Sequence, residues 1–156
     1  MTQTQKKTHS TLIFSPDVDD EVLGCFAFLG PQTWVLYGGV EDRPTIPKAM
    51  RIKELTDSAN HLGFSWTLLE NTVNQYDASM LIEPMEQLID QHRPDTVLLP
   101  EPSYNQDHRA FYDAGLVATR PHDTHWLEPE VLVYEQHHLA SFPTGAGYCI
   151  RADRYR

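Results

Sequence analysis

The sequence predicts an α/β protein: an open, doubly wound, mostly parallel sheet of about five strands with helices on both faces. Three observations predict it. Five short apolar runs recur: TLIFS (11–15), TWVLYG (33–38), SWTLLE (65–70), TVLLP (96–100) and EVLVYE (130–135). Several are continuously apolar and bounded by Pro, Gly or Asp, as strands buried on both faces are. Between them lie helix-like segments, DEVLGCFAFLG, PKAMRIKELTDSANHLG, ASMLIEPMEQLIDQH and QDHRAFYDAGLVATR. Such alternation is the mark of parallel strands joined by crossover helices.

The elements follow in order. TLIFS stops at Ser15-Pro16, and the first helix starts among Asp19, Asp20 and Glu21. Cys25 lies on that helix and reads as packing. TWVLYG ends at Gly38-Gly39, a turn and not a GxGxxG loop, which argues against a dinucleotide site. The second helix opens near Pro47 and stops at Gly63, the usual asymmetry. Its Met50, Ile52, Leu55, Ala59 and Leu62 recur at roughly helical spacing. The third helix carries Pro84 near its start, where proline is tolerated. The fourth follows TVLLP and the polar stretch EPSYNQDHRA, and EVLVYE closes the sheet. With right-handed crossovers and the order 3-2-1-4-5, strands one and four meet at the switch point where ligands bind.

The 156 residues suit one domain, read as 11–156 behind a flexible, polar N-terminus at 1–10. The net charge of -10 argues against a nucleic-acid partner, which needs a basic face. Cys25 and Cys149 form neither a disulfide framework nor a CxxC knuckle, and they fit a reducing compartment. MTQTQKKTHS lacks the apolar core of a signal peptide, and no run reaches membrane-spanning length. The expectation is a cytoplasmic protein with no membrane partner.

Two polar clusters stand where strands one and four end. The first is Asp17, Asp19, Asp20 and Glu21; the second includes Asn105, Asp107 and His108. Two readings compete. Acids at a helix start are favoured by capping and by the helix dipole, which accounts for either cluster alone. Both clusters in one crevice would repel unless a cation sat among them, and a divalent metal is the economical answer.

At these residues the chain resembles the LmbE-like (PIG-L) family of metal-dependent N-deacetylases. The family's P-H-P-D-D-E-V-L-G-C motif is met by Pro16-Asp17-Val18-Asp19-Asp20-Glu21-Val22-Leu23-Gly24-Cys25. Its H/N-x-D-H motif is met by Asn105-Gln106-Asp107-His108. Its R-x-x-E…A…L-G helix is met by Arg51, Glu54, Ala59 and Leu62-Gly63, with Ala59 one position off the usual spacing. Ala118-Thr119-Arg120-Pro121 and Tyr134-Glu135 fit one branch of the family. The resemblance runs from strand one to about Pro143. It implies a Rossmann-like fold and a metal, Zn2+ or another ion such as Mn2+ or Fe2+, on Asp17, Asp20 and His108. It implies Asp19 as general base, Asp107 orienting its neighbours, Asn105 at the oxyanion, and Arg51 reaching the substrate. The implied activity is removal of an N-acyl group from an amino-sugar conjugate or related small amide.

The chain departs from the family in two ligating or catalytic positions. Asp17 replaces the first histidine, which adds negative charge around the metal and favours harder ions. Asn105 stands where many members have histidine; asparagine donates a hydrogen bond but delivers no proton. The chain also ends soon after Phe142-Pro143, where family members usually continue, so a neighbouring subunit is one way to complete the pocket. The alternatives are a catalytically degenerate binding or assembly module, and a nucleotide-binding or transferase domain of the same architecture. His122, His125, His137 and His138 read as surface or loop residues, and Trp34, Trp66 and Trp126 as core or rim.

Overall fold

The computed structural model describes residues 10–121 and 128–135. The elements are β1 (Thr11–Ser15), α1 (Asp20–Cys25), β2 (Thr33–Tyr37), α2 (Lys48–Leu62), β3 (Ser65–Leu68), α3 (Ala78–His92), β4 (Thr96–Pro100), α4 (Gln106–Ala118) and β5 (Glu130–Tyr134). The five strands form one sheet in the order β3-β2-β1-β4-β5. Every pairing is parallel. The α/β fold is the one the sequence predicts. Strand order reverses between β1 and β4, so the loops leaving these two strands share one crevice.

Alternation along each strand explains the continuous apolar runs. Leu12 and Phe14 of β1 join Leu36, Val97 and Leu99 on one face, packed with side chains of α3 and α4 such as Met85 and Phe111. Ile13, Val35, Tyr37 and Leu98 form a second core with Cys25, Leu55 and Ala59 from α1 and α2. Successive side chains point to opposite faces, and both faces are covered. Each fully buried Leu or Phe contributes roughly 1.5–3 kcal/mol. Burial also pushes the Cys25 thiol far up, so it stays protonated in the core. Trp34 packs on the first core, and its indole N–H donates to Thr67 Oγ1 at 2.9 Å. Trp66 packs on the second.

Three details differ from the sequence reading. The first helical segment breaks after Cys25 into a 3-10 turn, Phe26–Phe28. Within α1, Gly24 lies against the Tyr134 ring; a Cβ there would sit 2.3 Å from Cδ2 of Tyr134. That ring's hydroxyl donates to the Phe14 carbonyl at 2.9 Å, so Gly24 admits the bolt that ties β5 to β1. Met50 is exposed, and α2 buries only Leu55 and Ala59 fully. Pro84 falls in the second turn of α3 rather than near its start. The helix begins at Ala78 because Asp77 caps it, accepting from Ser79 N at 2.9 Å; Pro84 then leaves the Met80 carbonyl without its helical N–H. The end of α2 is as expected: Gly63 takes φ 85° and donates to the Ala59 carbonyl at 2.8 Å. No helix among the described residues is long and apolar enough to cross a membrane.

Candidate active site

The loop after β1 is held from several sides. Ser15 Oγ donates to the Asp17 carbonyl at 2.8 Å, and the Tyr76 hydroxyl donates to the Pro16 carbonyl at 3.1 Å. The Asp17 N–H donates to Asp20 Oδ2 at 3.0 Å. Asp19 stands at the start of α1 with φ 120° and ψ -21°, and its side chain makes no capping bond. A non-glycine residue held there costs on the order of 1–3 kcal/mol. Part of what holds it is the buried Glu21, whose Oε2 accepts the Asp19 N–H at 3.1 Å.

The loop after β4 behaves otherwise. Asn105 caps α4, its side-chain oxygen accepting from Asp107 N at 2.9 Å. That bond leaves the amide nitrogen of Asn105 as the donor end. Asp107 is buried and turns to the segment between β3 and α3. Its Oδ1 accepts from Tyr76 N at 3.2 Å, and its Oδ2 accepts from Asn74 N. Asp107 therefore ties that segment to the start of α4.

Next to Asp107, the buried His108 meets the β1 loop. Its Nε2 lies 3.4 Å from Asp20 Oδ2 and 3.7 Å from Asp17 Oδ2. One ligand atom from each of the three lies within 4.8 Å of the others. An ion bonded to N and O ligands at about 2.1 Å in tetrahedral fashion separates its ligand atoms by about 3.4 Å. The donor set and its spacing therefore fit a divalent cation. Burial disfavours the charged form of His108, but Asp17, Asp20 and Asp107 outweigh it and hold its pKa above the ordinary value. At 3.7 Å the Asp17 contact is too long for a hydrogen bond and acts through charge. The surroundings thus favour positive charge at this point.

A cleft of about 360 Å³ opens beside the triad, lined by Asp17, Asp19, Glu41, Arg51, Asn74 and Asn105 among others. This is the size of a small-molecule site. Asp19 is open to the cleft, yet loss of water around its carboxyl raises its pKa. The Arg51 guanidinium pulls the other way, while Asp17, Glu41 and Glu54 add to the rise. Arg51 itself is anchored to Glu54 at 3.0 Å.

The structure brings Asp17, Asp19, Arg51 and Asn105 to one cleft, with Asp20 and His108 buried beside Asp17. Asp107 supports the site by holding the backbone of Asn74 and Tyr76. Glu41 and Arg43 after β2, and Val73 and Asn74 after β3, also line the cleft and were missed by the sequence reading. Their one cue was position, just past the carboxyl ends of two strands. His122, His125, Trp126, His137, His138 and Cys149 lie outside the described residues.

No protein-family model matches the chain, and no curated protein matches it by sequence. Solved structures do match. N,N'-diacetylchitobiose deacetylase from Pyrococcus horikoshii is 17% identical, with a TM-score of 0.68 over 85% of this chain. The chain spans 62% of that enzyme's length. A triple mutant of a deacetylase from the teicoplanin biosynthetic pathway is 23% identical, with a TM-score of 0.69, covering 88% of this chain and 68% of the other. A 4-carboxy-2-hydroxymuconate hydratase from Pseudomonas putida is 17% identical, with a TM-score of 0.65, covering 85% and 68%. At such identities these likenesses establish the shared fold. That fold serves both amide hydrolysis and hydration, so chemistry must be argued from the site.

Proposed function

We propose that this chain is a metal-dependent hydrolase that removes an N-acyl group, such as acetyl, from an amino-sugar conjugate or related small amide. The observation that carries the reading is Asp19: a strained, non-capping carboxylate facing the cleft beside a metal-sized triad. Asp17, Asp20 and His108 would hold the ion. When bound, a divalent ion supplies Lewis acidity, polarising a carbonyl and making a nearby water more acidic. Zn2+, Mn2+ and Fe2+ are the candidates, and the two carboxylates incline the set toward the harder ions.

The chain's own groups account for the rest. Asp19 takes a proton from the attacking water and returns it to the leaving amine. Its raised pKa brings it closer to working pH, where acid–base exchange is most efficient. Arg51, across from Asp19, supplies a fixed cation for polar groups of the substrate. The Asn105 amide, fixed by the cap bond at its oxygen, offers its N–H to the oxyanion as the carbonyl becomes tetrahedral. It does not move a proton, so both transfers fall to Asp19. Deacetylase activity among the similar structures supports the reading; the hydratase names the competing chemistry.

The test is acetate release from N-acetylglucosamine-type substrates by metal-loaded protein, with each of the three ions. Acetate release separates amide hydrolysis from water addition. No release with any ion would sink the reading and leave a non-catalytic binding or assembly module in its place.

A further inference from the structure

Glu21 is a buried carboxylate to which the proposed chemistry gives no task. It is 1% exposed and lies beside Cys25 and Tyr37 of the second core. Burying a carboxylate is unfavourable unless hydrogen bonds offset the lost water. A glutamate near a helix start can accept the N–H of the capping residue from the surface, with no such loss. An ordinary cap for the six-residue α1 therefore does not account for the burial. What Glu21 holds is the backbone of Asp19. The Asp19 N–H donates to Glu21 Oε2 at 3.1 Å. The Asp19 carbonyl accepts from the N–H groups of Val22 and Leu23 at 3.0 and 2.9 Å. With the peptide groups on both sides pinned, φ of Asp19 stays at 120° and the direction of its side chain is set. The buried Tyr37 hydroxyl has no hydrogen bond of good geometry among the described residues, but it lies close enough to the Glu21 carboxyl to interact with it.

We infer that Glu21 is a positioning residue: by holding the Asp19 N–H it keeps the Asp19 carboxylate out of the helix cap and turned to the cleft beside the triad. The inference rests on the hydrolase reading for the role of Asp19 and adds the group that keeps Asp19 in place. An aspartate before a helix, left to itself, takes extended backbone and turns its carboxyl onto the N–H of the second or third helical residue. In α1 those are the N–H groups of Glu21 and Val22. A carboxylate spent on that cap has no lone pair aimed at a water in the cleft. Glu21 takes the Asp19 N–H instead, and the strained backbone that results is what leaves the Asp19 carboxyl uncapped.

The experiment compares the full chain with Glu21→Gln, Glu21→Met and Glu21→Ala. Glu21→Gln keeps an oxygen for the Asp19 N–H and sets its amide group against the Tyr37 hydroxyl. Glu21→Met keeps the bulk without the acceptor, and Glu21→Ala serves where methionine does not pack. Crystal structures read the backbone of Asp19 without any need for turnover. φ of Asp19 should stay near 120° in the parent and in Glu21→Gln. In Glu21→Met and Glu21→Ala it should become negative, with the Asp19 carboxyl capping α1. Acetate release from N-acetylglucosamine by the metal-loaded proteins gives the second readout. kcat should fall about 100-fold in Glu21→Met and Glu21→Ala, as a displacement of ~1 Å in a reacting group suffices for that. KM and metal content should be nearly unaltered, since Arg51 and the triad keep their places, and Glu21→Gln should stay within a few-fold of the parent. A merely structural role would lower melting temperature and leave kcat per folded molecule unchanged. Asp19 still at φ near 120° in both Glu21→Met and Glu21→Ala, kcat near the parent's in both, or a loss in Glu21→Gln as large as theirs would overturn the positioning role. Absence of turnover in the parent would count against the hydrolase reading; φ of Asp19 would still decide the positioning by itself.

Discussion

The two loops that meet at the switch point carry similar sequence cues and put them to different use. After β4, Asn105 does what a polar residue at a helix start ordinarily does, and caps α4. After β1, the acids at the start of α1 do not. Asp19 is held at φ 120° with no capping bond, Asp20 turns to Asp17 and His108, and Glu21 reaches back to the Asp19 N–H. Helix physics explains the first loop. It does not explain the second, where backbone strain is tolerated and the caps are forgone. The contrast teaches that a cap signature in sequence becomes a candidate site only when the side chain is seen to decline the cap.

The largest effect that tests this contrast is expected at Asp19. Asp19→Asn should keep bound metal yet lower turnover by ~100- to 10,000-fold, the usual worth of general acid–base catalysis. Steady-state kinetics beside metal analysis would show it; turnover within a few-fold of the parent would return Asp19 to the role of a surface acid.

Asn105 offers the complementary case, because its two ends have two jobs. Asn105→Asp keeps a good cap but replaces the donor with a negative charge. Thermal stability should stay within a few tenths of a kcal/mol, while turnover falls on the order of 100-fold for a lost oxyanion donor. Asn105→Ala should lose both, including about 1 kcal/mol of stability. Equal turnover in the two proteins and the parent would leave Asn105 a cap and nothing more.

Asp17 should give a smaller change of the opposite sign. Asp17→His removes one negative charge from the triad, so the rate profile should shift toward lower pH and activity should hold or rise. A profile that does not move would separate Asp17 from the metal.

The smallest effect lies at the opposite end of the sheet, where the strands begin, and serves as a control. His92 stacks on Trp34 with ring centroids 4.2 Å apart, and its buried Nε2 has no hydrogen-bond partner among the described residues. Burial lowers its pKa below the ordinary 6.5. The unfolded chain then binds the proton more readily, so this contribution is full above about pH 6.5 and is lost as pH falls through the folded value. Melting temperatures of the parent should drop between pH 7.5 and 5.5 by more than those of His92→Phe. The difference should be the same with and without metal, since His92 is remote from the triad.

Much of this was legible beforehand. β1 and β4 fall on the expected residues because both are buried on two faces and stop at a turn or proline. The order 3-2-1-4-5, one of those that alternation and right-handed crossovers allow, is the order observed, and it brings Asp17, Asp20 and His108 near one another. Gly24 gave no hint of its contact with Tyr134, because that contact joins residues 24 and 134 through the fold. The expected segment ASMLIEPMEQLIDQH matches α3 from end to end, and only Pro84 lies deeper than a helix start, in the second turn. Glu41, Arg43 and Asn74 were hidden for a plainer reason: loops have no period, and which loops meet depends on which strands are neighbours. The φ of Asp19 has no signature in residue type at all.

Metal content tests the triad of Asp17, Asp20 and His108 most directly. The full chain, purified without added metal and then loaded and desalted, should carry one divalent ion per chain by elemental analysis. Asp19→Asn should carry the same, while Asp20→Ala and His108→Ala should each carry none, with circular dichroism unchanged. A parent that holds no ion, or an ion that persists in both Asp20→Ala and His108→Ala, would contradict that triad.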